Sequence, residues 1–345
     1  MTNNREEPLE KPYEFIDFTN APRQQRAGSG HDSLHADQFT GQIELYLIAR
    51  TPVQVANGSF DITKSRDGEE ITAQGSSVQR YDPLGQKVNR QPVLPGSSIK
   101  GMMRSLLEMI GPCCVASIAN SIRRELPSNV TRCSKLDQLC PACRLFGMSG
   151  AGKENYLGQI SVEDARLIEG GQVIVRTPLL WAPARGARSL PKRYLLGNRI
   201  RGRKLYYPSQ PARGPDARIA FKAGSTLRTV VHFANLTAGE LGLLLTALGV
   251  HPQHRFIPKL GAGKPVGMGS VETYINRIVL YTSIRKQGRL GGKATIHREE
   301  GLVQQIGMWV QAAKEAALIN ETALHAVAEL LHLRNLKRPP VEGMY

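Results

Sequence analysis

The chain has 345 residues, enough for one large core or two medium ones, and carries 45 Lys and Arg against 29 Asp and Glu, a net charge of +16. That excess favours a polyanionic partner, either nucleic acid or an anionic membrane. No apolar run approaches the roughly 18 to 20 residues that span a bilayer, and MTNNREEPLEKPYEF lacks the apolar core of a signal peptide, so a cytoplasmic protein with no membrane partner is expected.

Residues 1–38 are polar apart from the aromatic patch PYEFIDF and read as an extended N-terminal arm. QIELYLIAR at 42–50 alternates Ile43, Leu45 and Leu47 with Glu44 and Tyr46, the pattern of a half-buried strand. After a polar loop, LPGSSIKGMMRSLLEMIG spaces Met102, Met103, Leu106, Leu107 and Ile110 as one face of a helix, with Ser97 or Ser98 as its cap and Gly111-Pro112 as its stop. GQISVEDARL (158–167) and STLRTVVHFAN (225–235) are two further strand patterns. Thr237 to Glu240 is a capping box opening the apolar helix ELGLLLTALG, and SVETYINRIVLY (270–281) is the last strand pattern.

Strand, helix, strand, strand, helix, strand predicts an α+β fold with a ferredoxin-like, RNA-recognition-like βαββαβ core. That core would occupy 39–285, with long insertions at 51–92, 112–147 and 178–220. Residues 286–345 form a C-terminal segment with two helical patterns broken near Asn320 and Glu321, suited to packing on the sheet or on a neighbouring subunit.

Two glycine loops resemble phosphate cradles. In LFGMSGAGKENYLG the residue after Lys153 is Glu154, where a Walker loop needs Ser or Thr for magnesium, and no amphipathic helix follows, so no nucleotide triphosphate site is expected. In PKLGAGKPVGMGSVE, Gly261, Gly263, Gly267 and Gly269 surround Lys264 directly before a strand, a loop suited to a nucleic-acid backbone.

No acid occurs between Glu169 and Asp216, while Arg185, Arg188, Lys192, Arg193, Arg199, Arg201, Arg203, Lys204 and Arg213 do, interleaved with Trp181, Tyr194, Tyr206 and Tyr207. Cations that track phosphates and aromatic faces that stack bases suit single-stranded RNA. Cys133, Cys140 and Cys143 supply three thiolates, the last two at CxxC spacing, and Cys113 or Cys114 is the fourth ligand of a closed, structural zinc site. Among the histidines, His251 and His254 beside Arg255 suit RNA better than metal, and His232 suits a core role.

In order along the chain, LPGSSIKGMMRSLLE, LFG followed by GQISVEDA, RGRKLYY, FANLTAGELGLLLTALG and KLGAGKPVGMGSVE resemble the RAMP superfamily of CRISPR-associated proteins. Within it, the chain is most similar to backbone subunits of type III effector complexes of the type III-D-like branch, whose N-terminus reads much like PYEFIDF. The resemblance implies a modified RNA-recognition fold with thumb-like and zinc-bearing insertions. It also implies a subunit that holds a CRISPR guide RNA, meets target RNA and stacks on other effector subunits.

Guide contacts are then expected at Gly96, Ser97, Ser98, Lys100 and Arg104, at Gly261, Gly263, Lys264 and Gly267, and at Arg199, Arg201, Arg203 and Lys204. Relatives of this kind cut target RNA with a divalent metal, Mg2+ or Mn2+, held by an acid between the first strand and the PGSS helix. The matching position falls here near Ser76 or Ser77, and a histidine of some relatives is Gln54, leaving Asp61, Asp67 and Asp82 as candidate acids. The alternatives are an inactive scaffold, or a metal-independent endoribonuclease of guide precursors using His35 or His232 as base.

Overall fold

The computed structural model describes residues 11–64, 68, 70–81, 89–116, 120–149, 154–180, 190–282 and 293–340. The described residues open with β1 (Tyr13–Asp17) and β2 (Phe39–Ala49), then a hairpin of β3 (Ala56–Lys64) and β4 (Glu70–Ser76). β5 (Val78–Tyr81) and β6 (Asn89–Leu94) lead into α1 (Gly96–Ile110). The cysteine-rich stretch carries two short helices, α2 (Asn120–Arg123) and α3 (Pro141–Phe146), and the small hairpin β7 (Met148–Ser149) and β8 (Asn155–Tyr156). β9 (Ile160–Val162), β10 (Ala165–Glu169) and β11 (Gln172–Thr177) follow, then β12 (Leu195–Leu196), β13 (Arg199–Ile200) and β14 (Gly202–Tyr206) in the basic segment. β15 (Asp216–Phe221) and β16 (Thr226–Leu236) precede α4 (Ala238–Ala247), and β17 (Val271–Thr282), β18 (Lys293–His297), α5 (Glu299–Glu315) and α6 (Glu321–Leu330) complete the order.

The main sheet runs β18-β17-β2-β16-β10-β6-β5, with β9 also paired to β16, and its pairs are antiparallel. α1 follows β6, with β3 to β6 inserted between it and β2, α4 follows β16, and the two helices pack beside each other. Ile43, Leu45 and Leu47 of β2 are fully buried together with Met103, Leu107 and Ile110 of α1. Each such side chain contributes roughly 1.5 to 3 kcal/mol on leaving water. α4 is apolar on every side because every side is covered: Leu241, Leu243, Leu244 and Leu245 are inaccessible, and α5 packs on it. Its capping box is made, with Thr237 Oγ1 accepting from the Glu240 amide at 3.2 Å and the Thr237 amide donating to Glu240 Oε2 at 3.1 Å. The β3–β4 hairpin belongs to a second sheet, ordered β11-β15-β4-β3.

Four local features differ from the expectation. Neither Ser97 nor Ser98 caps α1; Pro95 precedes it, and the Gly96 amide donates to Asp164 Oδ1 at 2.8 Å. The strand expected over 158–167 is broken into β9 and β10: the Glu163 amide still donates to the Val230 carbonyl at 3.0 Å, and the chain then turns at Asp164, whose carboxylate meets the helix start. The N-terminal arm is extended but held: β1 pairs with β14, Phe15 stacks on Tyr194 at 4.3 Å, and Arg26 bridges to Leu139 and reaches Glu240 at 2.9 Å. The first described element of the C-terminal segment is a strand, β18, on the sheet edge, and Asn320 caps α6 by accepting from the Ala323 amide at 3.0 Å. Among the described residues, no helix is long and apolar enough to cross a membrane.

Candidate nucleic-acid interface and metal centre

α1, the glycine loop and β14 converge on a groove of about 650 Å³. Ser98, Gly101, Arg104 and Ser105 line it from the helix, Arg203, Lys204 and Tyr206 from the strand, and Lys259, Gly261 and Lys264 from the loop. Ser98, Arg104, Arg203, Lys204, Gly261 and Lys264 of the expected contacts are therefore brought together. Glu108 is the acid of this groove, and it is already engaged by Arg104 Nε at 2.8 Å and by Arg203 Nη1. Arg203 also donates to Ser105 Oγ at 3.1 Å, so both guanidiniums are fixed from behind.

The lysines lack such partners. Lys204 Nζ lies between the rings of Tyr13 and Tyr206, at 4.0 and 4.6 Å, and burial, helped by Lys11, lowers its pKa to about 8. Lys259 donates to Ser270 Oγ at 3.1 Å; burial lowers its pKa to about 7, with Lys264 adding repulsion. Burial also lowers the pKa of Lys264. Lys259 was not singled out from the sequence, because a lysine in a polar connection reads as solvated; its place beside KLGAGK was the available signal.

The glycines of this loop answer a packing need. Gly261, Gly263, Gly267 and Gly269 all have φ between +68° and +85°, and a Cβ at Gly261 would lie 2.0 Å from the Gln54 carbonyl oxygen. The amides of Ala262, Met268 and Gly269 point into the fold, onto Gln54, Gly263 and Pro52. The loop thus contributes to the groove through Lys259 and Lys264 rather than through these amides.

The remaining expected contacts sit elsewhere. Ser97 is exposed on the first turn of α1, and Gly96 is buried under Asp164. Arg199 is exposed on β13, and Arg201 is paired with Asp17 at 2.6 Å, away from the groove. Lys100 donates to the Ile160 carbonyl at 2.6 Å and lines a second cleft. Lys153, Trp181, Arg185, Arg188, Asp67 and Asp82 lie outside the described residues.

Asp61 is exposed on β3, and a Cβ at Gly75 would lie 2.7 Å from its Oδ2, which places it one residue from the Ser76 position. Ser76 Oγ is buried without a hydrogen-bond partner, Ser77 Oγ donates to the Val55 carbonyl at 3.0 Å, and Gln54 is buried with its Nε2 on the Gln74 carbonyl at 3.0 Å. The histidines correct the expectation. His251 is 1 % exposed, its Nδ1 accepts from the amides of Gln253 and His254, and its pKa falls to about 4 through burial and Lys314; it braces a turn. His232 is half-exposed and pairs with Glu163 at 2.8 Å, so it faces outward rather than into the core.

Cys114, Cys133, Cys140 and Cys143 are buried with all four sulfurs within 4.8 Å of one another, leaving Cys113 outside the set. Cys114 Sγ is 3.5 Å from Cys143 Sγ and 3.6 Å from Cys140 Sγ, near the about 3.8 Å edge of a tetrahedron with 2.3 Å zinc–sulfur bonds. The surroundings also suit thiolates: the amides of Cys114 and Cys140 donate to Cys140 Sγ and Cys133 Sγ, both at 3.4 Å, and Arg104 Nη2 reaches Cys143 Sγ at 3.5 Å. The donor set fits a structural zinc ion.

A sequence model of the RAMP superfamily matches residues 46–272. No curated protein matches the chain significantly. Among solved structures, a chain of a "Type IV-B CRISPR Complex" is similar at 16 % identity and a TM-score of 0.36, over 72 % of this chain and 93 % of that one.

Proposed function

The chain belongs to the RAMP superfamily, and from that premise we propose that it is a guide-RNA-binding backbone subunit of a type III-like CRISPR effector ribonucleoprotein. The observation that carries this reading is the groove, where Arg104, Arg203, Lys204, Lys259 and Lys264 face one acid already consumed by two arginines. Such a surface binds a phosphate backbone whatever its sequence, as a guide-holding subunit must. The order β17-β2-β16-β10, with α1 after β2 once the inserted β3 to β6 are set aside and α4 after β16, supports a ferredoxin-like core behind the groove. The type III-D-like assignment rests on the sequence blocks and PYEFIDF. Target RNA and neighbouring effector subunits are the partners this role entails.

The test is binding of fluorescein-labelled single-stranded RNA by the full chain across a salt series. Lys259→Ala/Lys264→Ala is expected to weaken binding and to reduce the slope of log K against log salt by up to about two. Unchanged affinity and slope would overturn the groove as the RNA site.

The nearness of Asp61 to Gly75 favours a second activity, metal-dependent cleavage of target RNA, in which that carboxylate would hold Mg2+ or Mn2+. In the reconstituted complex, Asp61→Ala then removes one set of magnesium-dependent products while guide binding persists. If Asp61→Ala, Asp67→Ala and Asp82→Ala each leave every product in place, the subunit is a scaffold. Guide-precursor processing is less favoured, because neither His35 nor His232 lines the groove.

A further inference from the structure

Ile43, Leu45 and Leu47 of β2 point to the face of the main sheet that α1 and α4 cover, so strand alternation sends Glu44, Tyr46 and Ile48 to the other face. Register assigns their neighbours there. Tyr46 pairs with Arg228 of β16 and with Tyr274 of β17, and Arg228 pairs with Arg166 of β10. Directly paired residues share a face, so Arg166, Arg228, Tyr46 and Tyr274 form one row across four strands. Tyr281 and Ile296 continue this face toward the sheet edge, and with Tyr274 they are 41, 49 and 40 % exposed. Among the described residues, no layer packs on it.

The row sets two rings beside two guanidiniums and contains no acid. Arg255 adds a third cation, 5.6 Å from the centre of the Tyr274 ring. In the next row Glu44 is buried and accepts from Arg228 Nε and Arg277 Nε, both at 2.8 Å, and from Asn276 Nδ2 at 3.1 Å. The hydrogen bond from Arg228, joined by those other donors, holds its carboxyl down to about 2 despite burial. One carboxylate under two guanidiniums leaves a positive charge over, and an arginine fixed at Nε keeps its Nη hydrogens for a further acceptor. At the margins Glu272 is engaged by Arg50 and Glu163 by His232.

Positive charge interleaved with bare rings fits a polyanion that carries flat bases. Rings on neighbouring strands, roughly 4.8 Å apart, can stack unpaired bases while the cations beside them take the phosphates. We propose that this open face is a second surface for single-stranded RNA, with bases stacking on Tyr46 and Tyr274 and the backbone held by Arg228, Arg166 and Arg255. It is separate from the groove, because α1, which lines the groove, packs on the covered face.

The test cross-links the full chain to single-stranded RNA carrying 4-thiouridine and maps the attached peptides, with fluorescein-labelled RNA reporting affinity across a salt series. Cross-links within residues 42–50 and 271–277 are expected, in wild type and in Lys259→Ala/Lys264→Ala alike. Tyr46→Leu/Tyr274→Leu, which keeps apolar volume but removes the rings, is expected to bind several-fold more weakly with an unchanged salt slope. Tyr46→Phe/Tyr274→Phe should bind as wild type, and Arg255→Gln should reduce the slope by about one. Cross-links confined to groove residues overturn the proposal and leave the groove standing, whatever the substitutions do to the fold. Unchanged affinity of Lys259→Ala/Lys264→Ala, with cross-links kept on β2 and β17, removes the groove and supports the open face. If Tyr46→Leu/Tyr274→Leu binds RNA as wild type but no longer joins the reconstituted complex, the face docks a neighbouring subunit and the proposal falls.

Discussion

Glu240 is 1 % exposed and accepts from four donors: Arg144 Nε at 2.6 Å, Arg26 Nη2 at 2.9 Å, and the Thr237 amide and hydroxyl, both at 3.1 Å. Burial alone would raise its pKa, but the guanidiniums of Arg144 and Arg26 overcome that and hold it below the ordinary value of 4.5. One carboxylate therefore caps α4, neutralises the buried Arg144 and ties down the N-terminal arm. Glu240→Gln keeps an N3 side chain able to cap the helix but leaves Arg144, 3 % exposed, without its counter-charge. Breaking a buried pair from one side costs about 3 to 5 kcal/mol, so the denaturant midpoint should fall with its slope unchanged. The sign with pH follows from the lowered pKa: the stabilisation is full above 4.5 and is lost as pH drops through the folded-state value, so wild type and variant should converge in acid. A midpoint difference that persists unchanged into acid would rule out the charge as the cause.

At the scale of elements, the cysteine-rich stretch is packed into the core through Leu139, Leu145 and Phe146 and tied to it by Arg144, but the helices it carries among the described residues are only four and six residues long. Helices that short are not stable alone, and a metal held by the four sulfurs would add to that packing. Cys114→Ala is expected to lose bound zinc and the amide-exchange protection of residues 133–149, while Cys113→Ala keeps both; equal zinc content in the two variants would contradict the ligand set. The spacing of Cys133, Cys140 and Cys143 was legible in the sequence, but the choice between adjacent Cys113 and Cys114 was not, because it depends on which way the chain turns after Gly111-Pro112. The same division holds for the fold. Periodicity placed β2, α1, β16, α4 and β17 to within a few residues, since each buries one face or, for α4, all faces. The break between β9 and β10 and the pairing of β1 with β14 were not visible, because both are set by partners distant in sequence, Gly96 for Asp164 and the basic strand for PYEFIDF. In the candidate site, cations flanking glycines were legible; Lys259 and the engagement of Glu108 by two arginines depended on tertiary neighbours.

Over the whole molecule the net charge of +16 is unevenly compensated. Arginines are paired with buried or half-buried acids, Arg144 with Glu240, Arg104 and Arg203 with Glu108, Arg228 and Arg277 with Glu44. Lys204, Lys259 and Lys264 join no ion pair among the described residues, and all three line the groove. Their protonated forms are disfavoured by burial in the free chain, to about pKa 8 for Lys204 and about 7 for Lys259. A phosphate entering the groove favours those same protonated forms, so RNA binding should take up protons. The sign is fixed by the lowered values. Between about pH 7 and the ordinary lysine value of 10.5 the folded free chain binds fewer protons than the unfolded chain, so its own stability rises with pH there. RNA affinity moves the other way and should weaken as pH rises through about 7 to 8, with calorimetry in buffers of different ionisation heat registering proton uptake on binding. The facing groups are the other two lysines, Arg104, Arg203, Glu108, Tyr206, Tyr13 and Lys11. Lys259→Arg, charged at every pH tested, should flatten the dependence if it folds with the guanidinium in the groove. Wild-type affinity that is constant from about pH 6 to about pH 9 would mean that these lysines do not meet the phosphate backbone.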